Sequence, residues 1–185
     1  PTGLKDRVVR QYKKHYPDEQ ITINDHRDFK SPKQIPKVQD VPLKGVTLRA
    51  HQVRAGNAMI KKRHGVLWAA TNSGKTETAI AVIKALDMPT LFLVKGKDLV
   101  TQTYKRFQKR LGEEDIGLVM SDKWDVRKFT VASADTLARR LTPNKLTDNS
   151  RKRQQMVKEL LQSVNVVIVD ECHTAASKGL WNVVR

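Results

Sequence analysis

Residues 66–76, VLWAATNSGKT, decide the fold: an apolar run ends in a small polar loop that Gly74, Lys75 and Thr76 close. A strand over 66–70, a tight turn and a helix starting near Lys75 would bring several backbone N–H groups and a helix N-terminus to one point, where polyphosphate binds. The spacing is that of a G-x-x-x-x-G-K-[ST] phosphate loop, in which the lysine reaches the β/γ-phosphates and the hydroxyl ligates the Mg2+ that rides on them. Two positions depart from the pattern. Ala69 stands at the first glycine and is small enough for the turn; Asn72 stands where many such loops carry a second glycine, and Asn tolerates the left-handed region better than most residues. The bland alternative is a chance turn before an amphipathic helix. Against it, Ala79, Val82, Ile83 and Leu86 recur on one face of the segment that follows.

Composition bounds the rest. The 185 residues suffice for one well-buried domain and not for a second full one. With 35 Lys and Arg against 19 Asp and Glu, the net charge is +16, and most of the excess lies beyond residue 45. A polyanionic partner is the leading expectation. The single cysteine, Cys172, has no partner for an internal disulfide, which suits a reducing compartment. No apolar run approaches the roughly 18–20 residues that span a bilayer, and no signal-peptide pattern opens the chain, so the expectation is an intracellular protein away from membranes. Because the chain opens on Pro1, it is expected to be processed or a piece of something longer.

Residues 3–16 suit a short basic helix and ITI at 21–23 a short strand. Pro32, Pro36 and Pro42 then break the segment among Lys, Ser and Gln, an extended connector that puts a boundary near residue 44. Residues 1–44 are expected to be an accessory segment or linker and 45–185 the nucleotide-binding domain. A helix from Thr47, despite Gly56, leads into the phosphate-loop strand. TLFLV (90–94) is a buried strand, and a helix from about Asp98 has Val100, Tyr104, Phe107 and Leu111 inside and Lys105, Arg106, Lys109 and Arg110 largely outside. IGLVM (116–120) and FTVAS (129–133) are further strands joined by a polar connection containing Trp124. A short helix at 136–141 and one with Met156, Val157, Leu160 and Leu161 facing inward precede VVIV at 166–169. Strands alternating with helices after a phosphate loop predict an α/β fold, a mainly parallel sheet with helices on both faces.

VVIV shows no polar alternation, as a central strand buried on both faces should. Asp170 and Glu171 then emerge at its C-terminal end, where ligands bind in open α/β sheets. The chemistry uses both acids: Asp170 to orient Mg2+ and its waters, Glu171 to accept a proton from the water attacking the γ-phosphate.

With these residues assembled, the chain resembles the superfamily 2 helicases and translocases of DExH type over residues 46–185. LRAHQ (48–52) is similar to the adenine-recognising Q motif, ATNSGKT (70–76) to motif I, LFLVKGKDLVTQ (91–102) to motif Ia, VASADTL (131–137) to the next nucleic-acid-contacting motif, and DECH (170–173) to motif II. Within the superfamily LRxxQ with DECH looks most like the XPB-like group and the phage UvsW-like helicases. The resemblance implies the first of two RecA-like motor domains, ATP and Mg2+ as cofactors, and nucleic acid, DNA rather than RNA, as partner. It implies that Gln52 and Arg49 recognise adenine, that Thr71, Asn72, Ser73, Gly74, Lys75 and Thr76 hold the phosphates, that Thr76 and Asp170 hold Mg2+, and that Lys75, Asp170 and Glu171 are catalytic. His173 would couple the site to the second motor domain, and Lys95, Gly96, Lys97 and Ser133 would contact nucleic acid. Lys95-Gly96 departs from the Pro-Thr common in motif Ia. An RNA helicase, or a nucleic-acid-binding module whose nucleotide only switches affinity, remains an alternative, although a pure switch has no need of Glu171.

Among other residues, Cys172 is expected to be a small buried thiol and Trp68 a core side chain, while Trp124 and Trp181 are expected to pack at core or edge rather than stack on a base. His15, His26, His51 and His64 read as surface histidines. The runs 61–63, 139–140 and 151–153 are basic, and as a group they are candidate phosphate contacts.

Overall fold

The computed structural model describes residues 5–20, 35–143 and 147–172. Five strands form one sheet in the order β3-β2-β4-β1-β5: β1 (Thr90–Val94), β2 (Ile116–Val119), β3 (Trp124–Asp125), β4 (Phe129–Ser133) and β5 (Val166–Val169). β2, β4, β1 and β5 run parallel, and only β3 is antiparallel, against β2. An α/β fold with a mainly parallel sheet is therefore what the sequence predicted.

The helices are α1 (Lys5–His15), α2 (Ala50–Lys62), α3 (Lys75–Leu86), α4 (Lys97–Leu111), α5 (Ala134–Leu141) and α6 (Asp148–Ser163). Alternation along β1 sorts them into two layers, because successive side chains of a strand point to opposite faces. Phe92 and Val94 join the cluster of Ile60, Ile80, Ile83, Val100 and Phe107 from α2, α3 and α4. Leu91 and Leu93 join Leu137, Val157 and Leu160 from α5 and α6. Val38 and Leu43 are also buried in the first cluster. Gly56, costly in a helix interior, is explained there: a Cβ at this position would lie 2.8 Å from Val38 Cγ1, so glycine lets the 35–46 segment press onto α2.

Five expectations fail in informative ways. Residues 66–70 are not a strand, and Trp68, expected in the core, is 96% exposed. An apolar run forms a strand only where a backbone edge pairs with it, and among the described residues none does. In consequence β5 is, among the described residues, an edge strand rather than a central one, and Val167 is 44% exposed. The connection containing Trp124 forms the short β3. Arg110, expected outside, is nearly buried: its guanidinium makes a two-pronged ion pair with Glu77, at 2.9 Å from Nε to Oε2 and 3.1 Å from Nη2 to Oε1. Its Nη1 also donates to the carbonyls of Lys44 and Gly45, so one side chain joins α4, the first turn of α3 and the entry to the domain. The predicted 21–23 strand lies outside the described residues.

Candidate active site

α3 begins directly on the phosphate loop, so the N–H groups of its first turn, which have no partner inside the helix, open onto it. Asn72 (φ 62) and Gly74 (φ 81) both take the left-handed backbone that lets the loop turn. Gly74 is required twice, because a Cβ there would also collide with the Gln52 side-chain amide. Lys75 Nζ donates to the carbonyls of Ala69 and Ala70 at 3.2 and 3.4 Å, folding back across the loop. Thr71 and Asn72 are exposed, and Ser73 through Glu77 half-buried. Ser73 Oγ is buried and, among the described residues, finds no hydrogen-bond partner.

Gln52 lies on α2 with 6% exposure. Its Oε1 accepts from the Arg49 N–H at 2.8 Å, and its Nε2 donates to the carbonyls of Ser73 (3.2 Å) and Gly74 (3.3 Å). His51 Nε2 adds a bond to the Ser73 carbonyl at 3.2 Å, so this histidine is more than a surface residue. The side chains given to adenine recognition thus divide: Gln52 braces the phosphate loop with both of its amide protons, and Arg49 is exposed at the start of α2.

The acids arrive from the other side. Register pairs Leu93 of β1 with Val169 of β5, and the Asp170 N–H donates to the Leu93 carbonyl at 2.9 Å, so Asp170 stands beside the C-terminal end of β1. Burial pushes the Asp170 carboxyl above its ordinary value. The Glu171 N–H, which donates to Asp170 Oδ1 at 3.0 Å, pulls the other way, the Glu171 charge raises it further, and the charges of Lys75 and Arg106 lower it. The two halves of the site, far apart in sequence, therefore share one electrostatic field. Arg106 on α4, which no motif singles out, enters that field. Glu171 is exposed and holds φ 49, a backbone that costs a residue with a Cβ roughly 1–2 kcal/mol.

Nearby, Lys95 and Lys97 are exposed at the end of β1, with Gly96 (φ 91) starting α4 between them. Ser133 is buried, and its hydroxyl accepts from the Thr136 N–H at 3.3 Å, capping α5. Cys172 is exposed, correcting the buried thiol, because it follows an edge strand. Trp124 packs at the margin of the second cluster under Arg140, whose guanidinium lies 4.5 Å from its ring centre. His173 and Trp181 lie outside the described residues.

The arrangement fits a polyphosphate with a hard divalent cation. It offers a helix N-terminus, a hydroxyl without a partner among the described residues, a lysine bonded to loop carbonyls, and a carboxylate whose burial is partly offset by positive charge. Among the described residues no three His, Cys, Asp or Glu side chains gather to hold a metal. One carboxylate and one threonine hydroxyl suit Mg2+, whose remaining ligands are commonly phosphate and water.

A mainly parallel sheet, a loop that opens onto the first turn of a helix and a carboxylate at a strand end define a phosphate-loop nucleotide-binding domain. Residues 45–185 match the model of the family described as "Type III restriction enzyme, res subunit", and the chain belongs to that family. The superfamily 2 helicase likeness read from the motifs holds with it. The chain is 25% identical over 170 residues to "DNA 3'-5' translocase XPB2" of Sulfurisphaera tokodaii, covering 92% of this chain and 34% of that protein. It is 26% identical over 151 residues to "Putative ATP-dependent RNA helicase L396" of Acanthamoeba polyphaga mimivirus, covering 79% and 26%. Among solved structures, the Sulfolobus solfataricus SWI2/SNF2 ATPase core in complex with dsDNA aligns with TM-score 0.49 and 14% identity over 81% of this chain and 37% of that one. The chain thus spans about a third or less of the curated relatives it matches.

Proposed function

We propose that this chain is the first motor domain of an ATP-dependent DNA helicase or translocase. The observation that carries the proposal is a phosphate loop at the start of α3 braced by Gln52, with Asp170 held at the end of β5 by its N–H bond to the Leu93 carbonyl. On this reading the loop from Thr71 to Thr76 holds the phosphates, and Thr76 and Asp170 hold Mg2+, which neutralises charge developing on the transferred phosphoryl group. Glu171 is the base for the attacking water. Gln52 serves the nucleotide by holding the loop, with Arg49 beside it for the base. Lys95, Gly96 and Lys97 face nucleic acid, and His173 couples the site to a second RecA-like domain. The boundary between accessory segment and motor domain is placed near residue 45.

DNA is favoured over RNA because a relative matched over 92% of this chain carries the name of a DNA translocase. The RNA helicase relative keeps RNA as the second reading. In this reading the arginine that stabilises the transition state comes from the second domain, and such a residue contributes roughly 10³ to 10⁵ in rate. Residues 1–185 should therefore bind ATP or ADP with Mg2+ weakly and turn it over negligibly. The test is turnover by this chain beside a longer protein carrying the second domain, with single-stranded, duplex and branched DNA and with RNA. In the longer protein Lys75→Ala should abolish binding or turnover, and Glu171→Gln should keep ATP bound and stall hydrolysis. Normal turnover by the Gln variant removes Glu171 from its role, and stimulation by RNA alone replaces DNA with RNA.

A further inference from the structure

Two of the basic runs that read as separate solvated faces meet in space. A cavity of about 270 Å3 lies between α5, the first turns of α6 and the turn from β2 to β3, lined by Arg139, Arg140, Arg153 and the hydroxyl residues Ser121, Thr136 and Ser150. Arg140 stacks its guanidinium on Trp124 and donates from Nη2 to the Ser121 carbonyl at 3.3 Å, while Arg139 Nε donates to the Asp135 carbonyl at 3.2 Å. Burial and the neighbouring Arg153 charge both lower its proton affinity, as expected of cations gathered without an anion. Arg139 and Arg153 are exposed, and among the described residues neither has a carboxylate within 4 Å. The acids on adjoining elements are Asp122, Asp125, Asp135 and Asp148; Asp125 is paired with Arg127, and Asp122 accepts from the Ser121 hydroxyl. In the sequence, residues 144–146 read NKL and contain no acid.

We infer that this cavity grips a backbone phosphate of the nucleic acid on which the protein acts, through Arg139 and Arg153 with Arg140 beside them. The guanidinium groups are donors suited to phosphate oxygens, which guanidinium binds by paired hydrogen bonds. The volume is below the roughly 300–1,000 Å3 of pockets that enclose a whole small molecule, which suits one group of an extended polymer. The Trp124 ring, the aromatic surface beside the cavity, carries Arg140 on its face, so no base stacks there and the contact reads no sequence. Because β2 and β4 run parallel to β1, the β2–β3 turn and the start of α5 lie on the sheet edge that also carries Lys95, Lys97 and Asp170. At about 4.8 Å between strands, the end of β2 is roughly 10 Å along that edge from the end of β1, far enough to engage a different phosphate.

The inference rests on the nucleic-acid-binding part of the proposed function and is independent of ATP. The test measures binding of a fluorescent 20-nucleotide single strand and its duplex to the protein without nucleotide, across a series of NaCl concentrations. R139Q/R153Q should weaken binding by roughly tenfold per lost contact. It should also flatten the slope of log K against log salt by about 0.9 per phosphate on duplex or about 0.7 on single strand. R139K/R153K should retain most of the slope. K105Q/K109Q, which removes the same charge from the exposed face of α4, should change both quantities far less. Equal losses in R139Q/R153Q and K105Q/K109Q, or wild-type binding by R139Q/R153Q, overturn the inference alone. Wild-type protein that binds neither strand nor duplex at low salt overturns the proposed function, and the inference falls with it. Inorganic phosphate that protects the wild-type protein against heat, while nucleic-acid binding is identical in R139Q/R153Q, assigns the cavity to free phosphate and overturns the inference as well.

Discussion

Replacing Arg110 by alanine should destabilise the domain more than any other change on the charged surface of α4. The Arg110 and Glu77 side chains are 13% and 15% exposed, so truncating the arginine leaves a mostly buried carboxylate without its counter-charge. Removing one partner of a buried pair costs about 3–5 kcal/mol. The carbonyls of Lys44 and Gly45 lose a donor too, at about 1 kcal/mol each, though water reaches them because both residues are exposed. With partial access of water to the pair, the lower end applies, about 3 kcal/mol. For a domain of this size each kcal/mol lowers Tm by roughly 2–4 °C, giving a fall of about 6–12 °C by circular dichroism. Replacing both partners, Arg110→Met with Glu77→Leu, removes the desolvated charges together and should cost less than the sum of the two single changes by about 1–3 kcal/mol. Glu77 follows Thr76 directly, so Arg110→Ala should also weaken ADP binding measured by calorimetry well below Tm. A Tm within 2 °C of wild type, or a double variant that melts below both singles, would refute the reasoning.

Gly74→Ala should lower nucleotide affinity by roughly tenfold or more, since the left-handed backbone alone costs about 1–2 kcal/mol with a Cβ and the new methyl displaces the Gln52 amide. Adding Gln52→Ala should relieve the collision and leave the backbone cost, and calorimetric titration with ADP separates the two. Asp170→Asn should raise Tm at neutral pH while abolishing hydrolysis in the longer protein that carries the second domain. Its raised carboxyl means that the folded state holds the proton more tightly than the unfolded state, so ionisation at neutral pH opposes folding. The wild-type protein regains that stability as pH falls through the raised folded value toward the ordinary unfolded one, and the Asn variant should lack this contribution. A lower Tm for Asp170→Asn at pH 7 would show that attraction from Lys75 and Arg106 outweighs burial.

The strands at 90–94 and 129–133 were legible because each is a short apolar run bounded by turn residues, and the buried β1 and β4 coincide with them. The phosphate loop was legible because spacing specifies its backbone, down to Asn72 in the left-handed region. β3 was not legible, since two residues carry no periodic signal. Arg110 carried a signal that charge obscured: with Val100, Thr103 and Phe107 it completes a 3-4-3 stripe on the inner face of α4, so a helical reading places it inside. Its partner Glu77 could not be read, because pairing across 33 positions is a property of packing. Residues 66–70 show the converse failure, for apolarity reports a preference for burial and says nothing about which backbone edge is available. The exposure of Val167 and Cys172 follows from that one difference.

That open flank of β5 bears on how the nucleotide and the fold support each other. The phosphate loop hangs from α2 through side-chain hydrogen bonds of Gln52 and His51, whereas Asp170 is carried by a strand laddered, among the described residues, on one side only. The two halves of the site have separate supports. A polyphosphate and its cation held between Thr76 and Asp170 would be the tie between the helix layer and the last strand of the sheet. The free energy of ligand binding would then appear partly as cohesion of that margin, so that the nucleotide acts as a removable structural member as well as a fuel.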